Sequence, residues 1–280
     1  MALLNDQALV DVPPELRDPL THAVARRDAD ILNTVSLALE NGNVALAYQP
    51  VLQARAPDRI AYYEGLIRIF DETGRVIPAA DFIHAAEVTE LGRRIDCAAL
   101  SMGLRVLEDT PEIRLALNLS ARSIGYPRWM RILRKALMRD PALGERLILE
   151  ITEGSAMMIP ELVTSFMTRM RRHGISFALD DFGAGHTSFR YLRDFLFDIL
   201  KIDGQFIRGV ATDPDNQVLA RALIAIARHM DMLTVAEQVE TPEDAQWITR
   251  AGIDCVQGYC FAAPTIRPPW EEPPAAETGS

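Results

Sequence analysis

The sequence predicts an α/β fold, a TIM-type (β/α)8 barrel whose first strand runs antiparallel to the rest. Three observations carry that expectation. The chain has 280 residues, a length that α/β barrels commonly occupy as one domain. Eight strand-like runs follow one another, with amphipathic helical stretches between the later ones. The link between the first two runs, Leu52 to Arg59, is too short for a crossover helix, so these strands pair antiparallel.

Residues 1–27 read as an N-terminal arm, because Val12-Pro13-Pro14 and Asp18-Pro19 break any long helix. From Asp28 to Glu40 the apolar residues Ile31, Leu32, Val35 and Leu39 recur at helical spacing, and Asn41-Gly42 supplies the stop. Strands are expected at Val44–Val51, Ile60–Ile69, Leu115–Leu119, Arg146–Thr152, Ser176–Asp180, Ile199–Ile202, Leu233–Val239 and Cys255–Ala262. Val163, Phe166, Met167 and Met170 form one helical stripe and Leu219, Leu223, Ile226 and Met230 another, both expected to face the core. Asp213-Pro214 and Thr241-Pro242 each place an N-cap before a proline at the first helical position, and Asp244 adds something like a capping box. The barrel is expected over residues 28–265. The proline-rich tail 266–280 is expected to be disordered.

Composition excludes several classes. No apolar run approaches the ~20 residues of a membrane helix, and the N-terminus lacks the basic region of a secretory signal. Cys97, Cys255 and Cys260 have no zinc-type spacing, and their odd number argues against a disulfide framework, so a reducing cytoplasm is expected. The net charge of −10 works against binding a nucleic-acid polymer. A small anionic ligand remains compatible where local cations reverse the field.

The chemistry begins at Ser176–Gly185, where a strand ends on the adjacent carboxylates Asp180 and Asp181 and then on glycines. Two neighbouring acids at the end of a buried strand repel and lose hydration, so they need cations or strong donors to stay charged. Barrels place active sites at the C-terminal ends of their strands. Seven successive strands bring Glu64, Asn118, Glu150, Asp180 with Asp181, Lys201, Glu237 and Gln257 to or near those ends. Alternation adds that Arg68 shares the parity of Glu64, and Asp203 that of Lys201, so all four should face the barrel axis. Glu153 has the opposite parity to Glu150 and reads as a brace for a neighbouring loop. Carboxylate and amide oxygens without Cys or His suit Mg²⁺ or Mn²⁺. Five carboxylates exceed the needs of one magnesium; two ions about 4 Å apart, bridged by Asp180, would use them all. Lys201 could then orient the attacking water or stabilise charge on the phosphorane. The expected reaction class is metal-assisted phosphodiester hydrolysis.

Tyr48-Gln49-Pro50, Glu64-Gly65-Leu66 with Arg68, Asn118-Leu119-Ser120, Leu149–Glu153, Asp180–Gly183, Leu200–Asp203, Ala236–Glu240 and Gln257-Gly258-Tyr259 follow one another in an order and spacing that resembles the EAL-domain phosphodiesterases, from about residue 30 to 265. The resemblance implies hydrolysis of the bacterial second messenger cyclic di-GMP to the linear dinucleotide, with Mg²⁺ or Mn²⁺. It further implies that Glu64, Asn118, Glu150 and Asp180 hold one ion and that Asp180, Asp181 and Glu237 hold the second. Lys201 and Gln257 would position water, Gln49 and Arg68 would contact the substrate, and Glu153 would steady the loop after Asp181. Asp203 is grouped with the substrate-binding residues. A homodimer is implied as well.

Several positions depart from the family pattern. Gly65 stands for the name-giving alanine, and Gln238 for a frequent glycine. Ile69-Phe70 stands where an aromatic usually follows the arginine directly, and Ala184-Gly185-His186-Thr187-Ser188 replaces a more usual Thr-Gly-Tyr-Ser-Ser. They bear on substrate affinity and loop coupling. The rival expectations are a module that binds cyclic di-GMP without cleaving it, and an interaction scaffold. The complete set of metal-site residues favours the enzyme.

Overall fold

In a computed structural model of the chain, the described residues are 19–183 and 193–271. Their strands are β1 (Val44–Gln53), β2 (Ala56–Phe70), β3 (Val76–Ile77), β4 (Leu115–Asn118), β5 (Leu147–Thr152), β6 (Ser176–Phe182), β7 (Ile199–Ile202), β8 (Leu233–Ala236) and β9 (Cys255–Val256). The helices are α1 (Pro19–Asn41), α2 (Ile83–Glu87), α3 (Glu90–Asp109), α4 (Pro127–Arg139), α5 (Glu153–Met158), α6 (Pro160–Arg171), α7 (Pro214–His229) and α8 (Pro242–Ala251). The chain groups into two compact units, Met1–Val44 with Arg68–Leu91, and Ala45–Ile67 with Gly92–Ser280.

The larger unit is the barrel. Its strands run in the order β1-β9-β8-β7-β6-β5-β4-β2, and pairing of β1 with β2 closes the ring. From β4 to β9 the neighbours are parallel, as are β2 and β4, whereas β1 meets β9 antiparallel. Only Ala54 and Arg55 separate β1 from β2, so the expected reversal of the first strand follows from a link even shorter than anticipated. No helix among the described residues is long and apolar enough to cross a membrane.

Alternation along the strands builds the interior in layers. One apolar layer takes a residue from each barrel strand: Val51, Tyr62, Ala116, Ile148, Ala178, Ile199, Val235 and Cys255. Two residues further toward the C-terminal ends, the same inward positions carry Glu64, Asn118, Glu150, Asp180, Lys201, Glu237 and Gln257. On the reversed β1 the corresponding step back from Val51 reaches Gln49. A dry floor therefore lies directly beneath a polar tier.

The outer helices are set by the expected caps. Asp213 accepts hydrogen bonds from the amides of Asp215 and Asn216 at the start of α7. Thr241 accepts from the Asp244 amide while the Asp244 carboxylate accepts from the Thr241 hydroxyl, a variant of the expected capping box in which the hydroxyl and not the backbone amide of the N-cap is the donor. Val163, Phe166, Met167 and Met170 are buried as anticipated. Of the second stripe, Leu223 is buried and Ile226 and Met230 pack against the core from its edge, whereas Leu219 is exposed; Ala220, Ile224 and Ala227 complete the buried face of α7.

In the smaller unit, α1 begins at Pro19, nine residues before the expected start. Proline fits the first turn of a helix, so Pro19 opens α1 instead of breaking it. Val35 and Ala38 are buried along it, and the end of β2 pairs with the unforeseen β3 through Ile69 opposite Ile77.

The tail also departs from expectation, because residues 266–271 are ordered. Thr265 bridges to Tyr48 in an antiparallel pair of backbone hydrogen bonds. Trp270 sets its ring edge-on against Tyr48 and Tyr63, with centroids 5.0 and 4.7 Å away.

Candidate active site

The polar tier converges on Lys201. This lysine is 1% exposed, and burial alone would strip its proton. Its Nζ lies 2.9 Å from Asp180 Oδ1, 2.9 Å from Glu237 Oε1, 3.0 Å from Glu150 Oε2 and 3.4 Å from Glu64 Oε2. Those carboxylates outweigh desolvation and hold the ammonium pKa well above its ordinary value. Glu64 is tied on its other sides as well: Gln257 Nε2 donates to Oε2 at 2.7 Å and Asn118 Nδ2 to Oε1 at 3.3 Å. Burial pushes its pKa up, but Lys201 and these two donors reverse the shift and keep it below the usual value.

The remaining acids are under-compensated. Burial, then the charge of Glu64, raise the Glu150 pKa well above the carboxylate range. Glu237 is likewise raised by burial, with Lys201 opposing and Asp180 and Glu64 adding to it. Asp181 is pushed up to about 6 by burial and by the neighbouring Asp180 and Asp203 charges. One ammonium thus faces the four carboxylates of Glu64, Glu150, Asp180 and Glu237, and Asp181 adds a fifth beside Asp180 and Glu237. Glu150 Oε1 and Gln257 Oε1 are buried without a hydrogen-bond partner. Ligand oxygens of Asp180, Asp181 and Glu237 all lie within 4.8 Å of one another. Surplus negative charge, hard oxygen donors and orphaned buried acceptors are what divalent cations would satisfy.

Loops hold this rim in place. Glu153, 3% exposed, accepts from the Gly183 amide through Oε2 at 3.2 Å. Gly183 has φ +97°, and a Cβ there would stand 2.4 Å from the Phe206 ring, so only glycine fits this turn. Gln205 donates to the Gly183 carbonyl at 3.0 Å. Asp203 accepts from the Gln205 amide at 2.8 Å and caps a 3-10 turn, Gly204–Phe206. Asp203, expected to face the barrel axis, uses Oδ1 for this cap.

Gln49 donates to the Ala262 carbonyl at 3.0 Å and accepts from Gln257 at 3.2 Å, which brings it to the tier. Arg68 lies four residues beyond Glu64 on β2 and falls in the smaller unit. His186 and the segment 184–192 lie outside the described residues. A cavity of about 310 Å³ opens among Gln49, Glu64, Leu66, Glu237, Gln238 and Gln257, with the exposed Tyr259 at its lip.

The departures acquire physical meaning. At Gly65 the methyl of an alanine would come within 2.8 Å of Leu117 Cδ2, so Leu117 occupies the vacated space. Gln238 has φ +52°, the left-handed region in which glycine is the unstrained residue. This explains why β8 ends at Ala236 and not at Val239. Gly258, at φ +154° against the backbone of Val239, ends β9 at Val256 in the same way.

A sequence profile described as EAL domain matches residues 32–264. The chain belongs to the EAL domain family. Among its relatives, the cyclic di-GMP phosphodiesterase PdeB of Shewanella oneidensis is 30% identical over 234 residues, covering 82% of this chain. The chain spans 27% of the length of PdeB. The PaMucR phosphodiesterase in complex with c-di-GMP superposes with a TM-score of 0.76 at 29% identity, over 84% of this chain and 97% of that one. The manganese and cy-diGMP complex of Klebsiella pneumoniae BlrP1 gives 0.70 at 26% identity, over 80% of this chain and 56% of that one. These EAL-domain neighbours agree with the closed barrel of eight strands and one added strand.

Proposed function

We propose that this chain is a cyclic di-GMP phosphodiesterase that hydrolyses the cyclic dinucleotide to linear pGpG with two Mg²⁺ or Mn²⁺ ions. The observation that carries the reading is the gathering of four carboxylates around one buried lysine, with Asp181 close to two of them, which leaves a surplus of negative charge at a single rim. Relatives named as cyclic di-GMP phosphodiesterases and complexes described as holding c-di-GMP or manganese support it.

In this reading Glu64, Asn118, Glu150 and Asp180 hold one ion, and Asp180, Asp181 and Glu237 the other. When bound, such ions supply Lewis-acid polarisation of the phosphoryl oxygen and of the attacking water. Lys201, fixed from several sides, stays cationic and stabilises charge that builds on the phosphorane. Gln257 holds Glu64 in its ionised form and, through its orphaned Oε1, orients water. Gln49 and Arg68 contact the substrate, Arg68 by a charge-assisted bond to phosphate. Glu153 keeps the Asp181–Gly183 turn in register. The barrel is assigned to residues 28–265 and acts as a homodimer in the cytoplasm.

Incubation of purified protein with cyclic di-GMP and Mn²⁺, followed by chromatography, tests the proposal. Linear pGpG should appear with Mn²⁺ and not with chelator. Binding of the dinucleotide without a linear product would make the chain a receptor, and neither binding nor product would leave a scaffold.

A further inference from the structure

We infer that Gln238 is a positioning residue, which ties the tip of β8 to the turn after β7 and thereby fixes the Glu237 carboxylate. The inference rests on the phosphodiesterase reading for its consequence, but its geometry is independent of it. Gln238 directly follows Glu237 and adopts φ +52°, a conformation that a side-chain-bearing residue holds only when its surroundings enforce it. The enforcement is visible. Gln238 Oε1 accepts a hydrogen bond from Arg208 Nη1 at 2.8 Å. Its side chain lies flat over Gly204: a Cβ on Gly204 would stand 2.5 Å from Gln238 Cδ and Oε1 and 2.7 Å from its Cβ. Gly204 and Gln238 therefore form a matched pair, the absent side chain of one making room for the other.

The flanking amides show what the tie holds. The Glu237 amide donates to the Ile202 carbonyl at 3.1 Å and the Val239 amide to the Gln257 carbonyl at 3.0 Å. Between these two anchors the chain kinks at Gln238, immediately after Glu237, whose inward-facing carboxylate lies 2.9 Å from Lys201. A glycine at position 238 would accept the same φ without strain but would also accept others. It would lose the Arg208 bond as well. The order of Glu237 is thus maintained by the glutamine side chain, not by the backbone alone.

The test uses the full chain and four variants: Gln238→Gly, Arg208→Ala, the two combined, and Gly204→Ala. Amide exchange of residues 236–241 is followed by mass spectrometry in metal-free protein, and Mn²⁺ binding by calorimetry. The tie predicts faster exchange in each single variant and no further gain in the combined one over Gln238→Gly, since the Arg208 bond is already lost there. It also predicts about tenfold weaker Mn²⁺ binding, the usual scale for a residue supporting a ligand. Gly204→Ala should reproduce both changes by pushing Gln238 off its seat. Unchanged exchange in Gln238→Gly, or faster exchange with undiminished Mn²⁺ affinity, would overturn the inference. Failure of the parent chain to bind Mn²⁺ at all would instead sink the phosphodiesterase reading, with the exchange data still deciding whether the tie exists.

Discussion

Replacing Lys201 by methionine removes the one ammonium that compensates the acidic tier. Each of its four carboxylate contacts lies between 2.9 and 3.4 Å. At an effective dielectric near 20, a unit pair about 3 Å apart is worth roughly 5 kcal/mol before desolvation. Repulsion among the carboxylates and the cost of drying the lysine consume most of that gross attraction. Breaking a buried ion pair by removing one member costs about 3–5 kcal/mol. For a chain of this size that corresponds to a fall in Tm on the order of 10 °C. The assay is thermal unfolding of parent and Lys201→Met in chelator and in Mn²⁺. Mn²⁺ at about a hundred times its dissociation constant returns about 2.7 kcal/mol per site. The increment should be larger for the variant, whose carboxylates have lost their competing cation. If Lys201→Met melts together with the parent in chelator, the carboxylates do not share one uncompensated field, and the electrostatic account of the site fails.

Glu64→Ala should abolish turnover with a smaller loss of Tm than Lys201→Met, because Lys201 keeps Glu150, Asp180 and Glu237; steady-state kinetics and a melting curve check both. The folded pKa of Asp181 is raised to about 6, so its contribution to metal-free stability is present below its unfolded value and is lost as pH rises from about 4 to 6. Compared with Asp181→Asn in chelator, the parent should therefore lose Tm across that window, and parallel curves would contradict the assignment. Saturating Mn²⁺ requires the ionised carboxylates, so its stabilising increment should grow over the same range. Trp270→Ala removes two edge-on aromatic contacts and should cost about 2 kcal/mol by denaturant titration, whereas a disordered tail would show no change.

Much of the barrel was legible because strand alternation and the ends of strands are local signals. Ile199–Ile202 matches its expected bounds, and Glu64, Glu150, Asp180 and Lys201 sit in the tier that parity assigns. Properties that depend on the neighbouring loop were less visible. Asp203 has the parity of Lys201, yet its side chain is recruited to cap the turn that begins at Gly204. The strands ending on Ala236 and Val256 were expected to be longer, since a glutamine does not by its own propensity announce the left-handed backbone found at Gln238, although the family's frequent glycine there points to it. Trp270 sits among prolines, and composition alone could not reveal that Tyr48 and Tyr63 offer it a seat. The start of α1 at Pro19 shows the same ambiguity, because proline both ends and opens helices.

The central claim is that the acidic tier is built to hold two divalent cations. Anomalous diffraction from crystals grown with Mn²⁺ tests it most directly. Two peaks about 4 Å apart should appear, one against Glu64, Asn118, Glu150 and Asp180 and the other against Asp180, Asp181 and Glu237. A tier without peaks, with Lys201 still seated among the carboxylates at saturating Mn²⁺, would contradict the account.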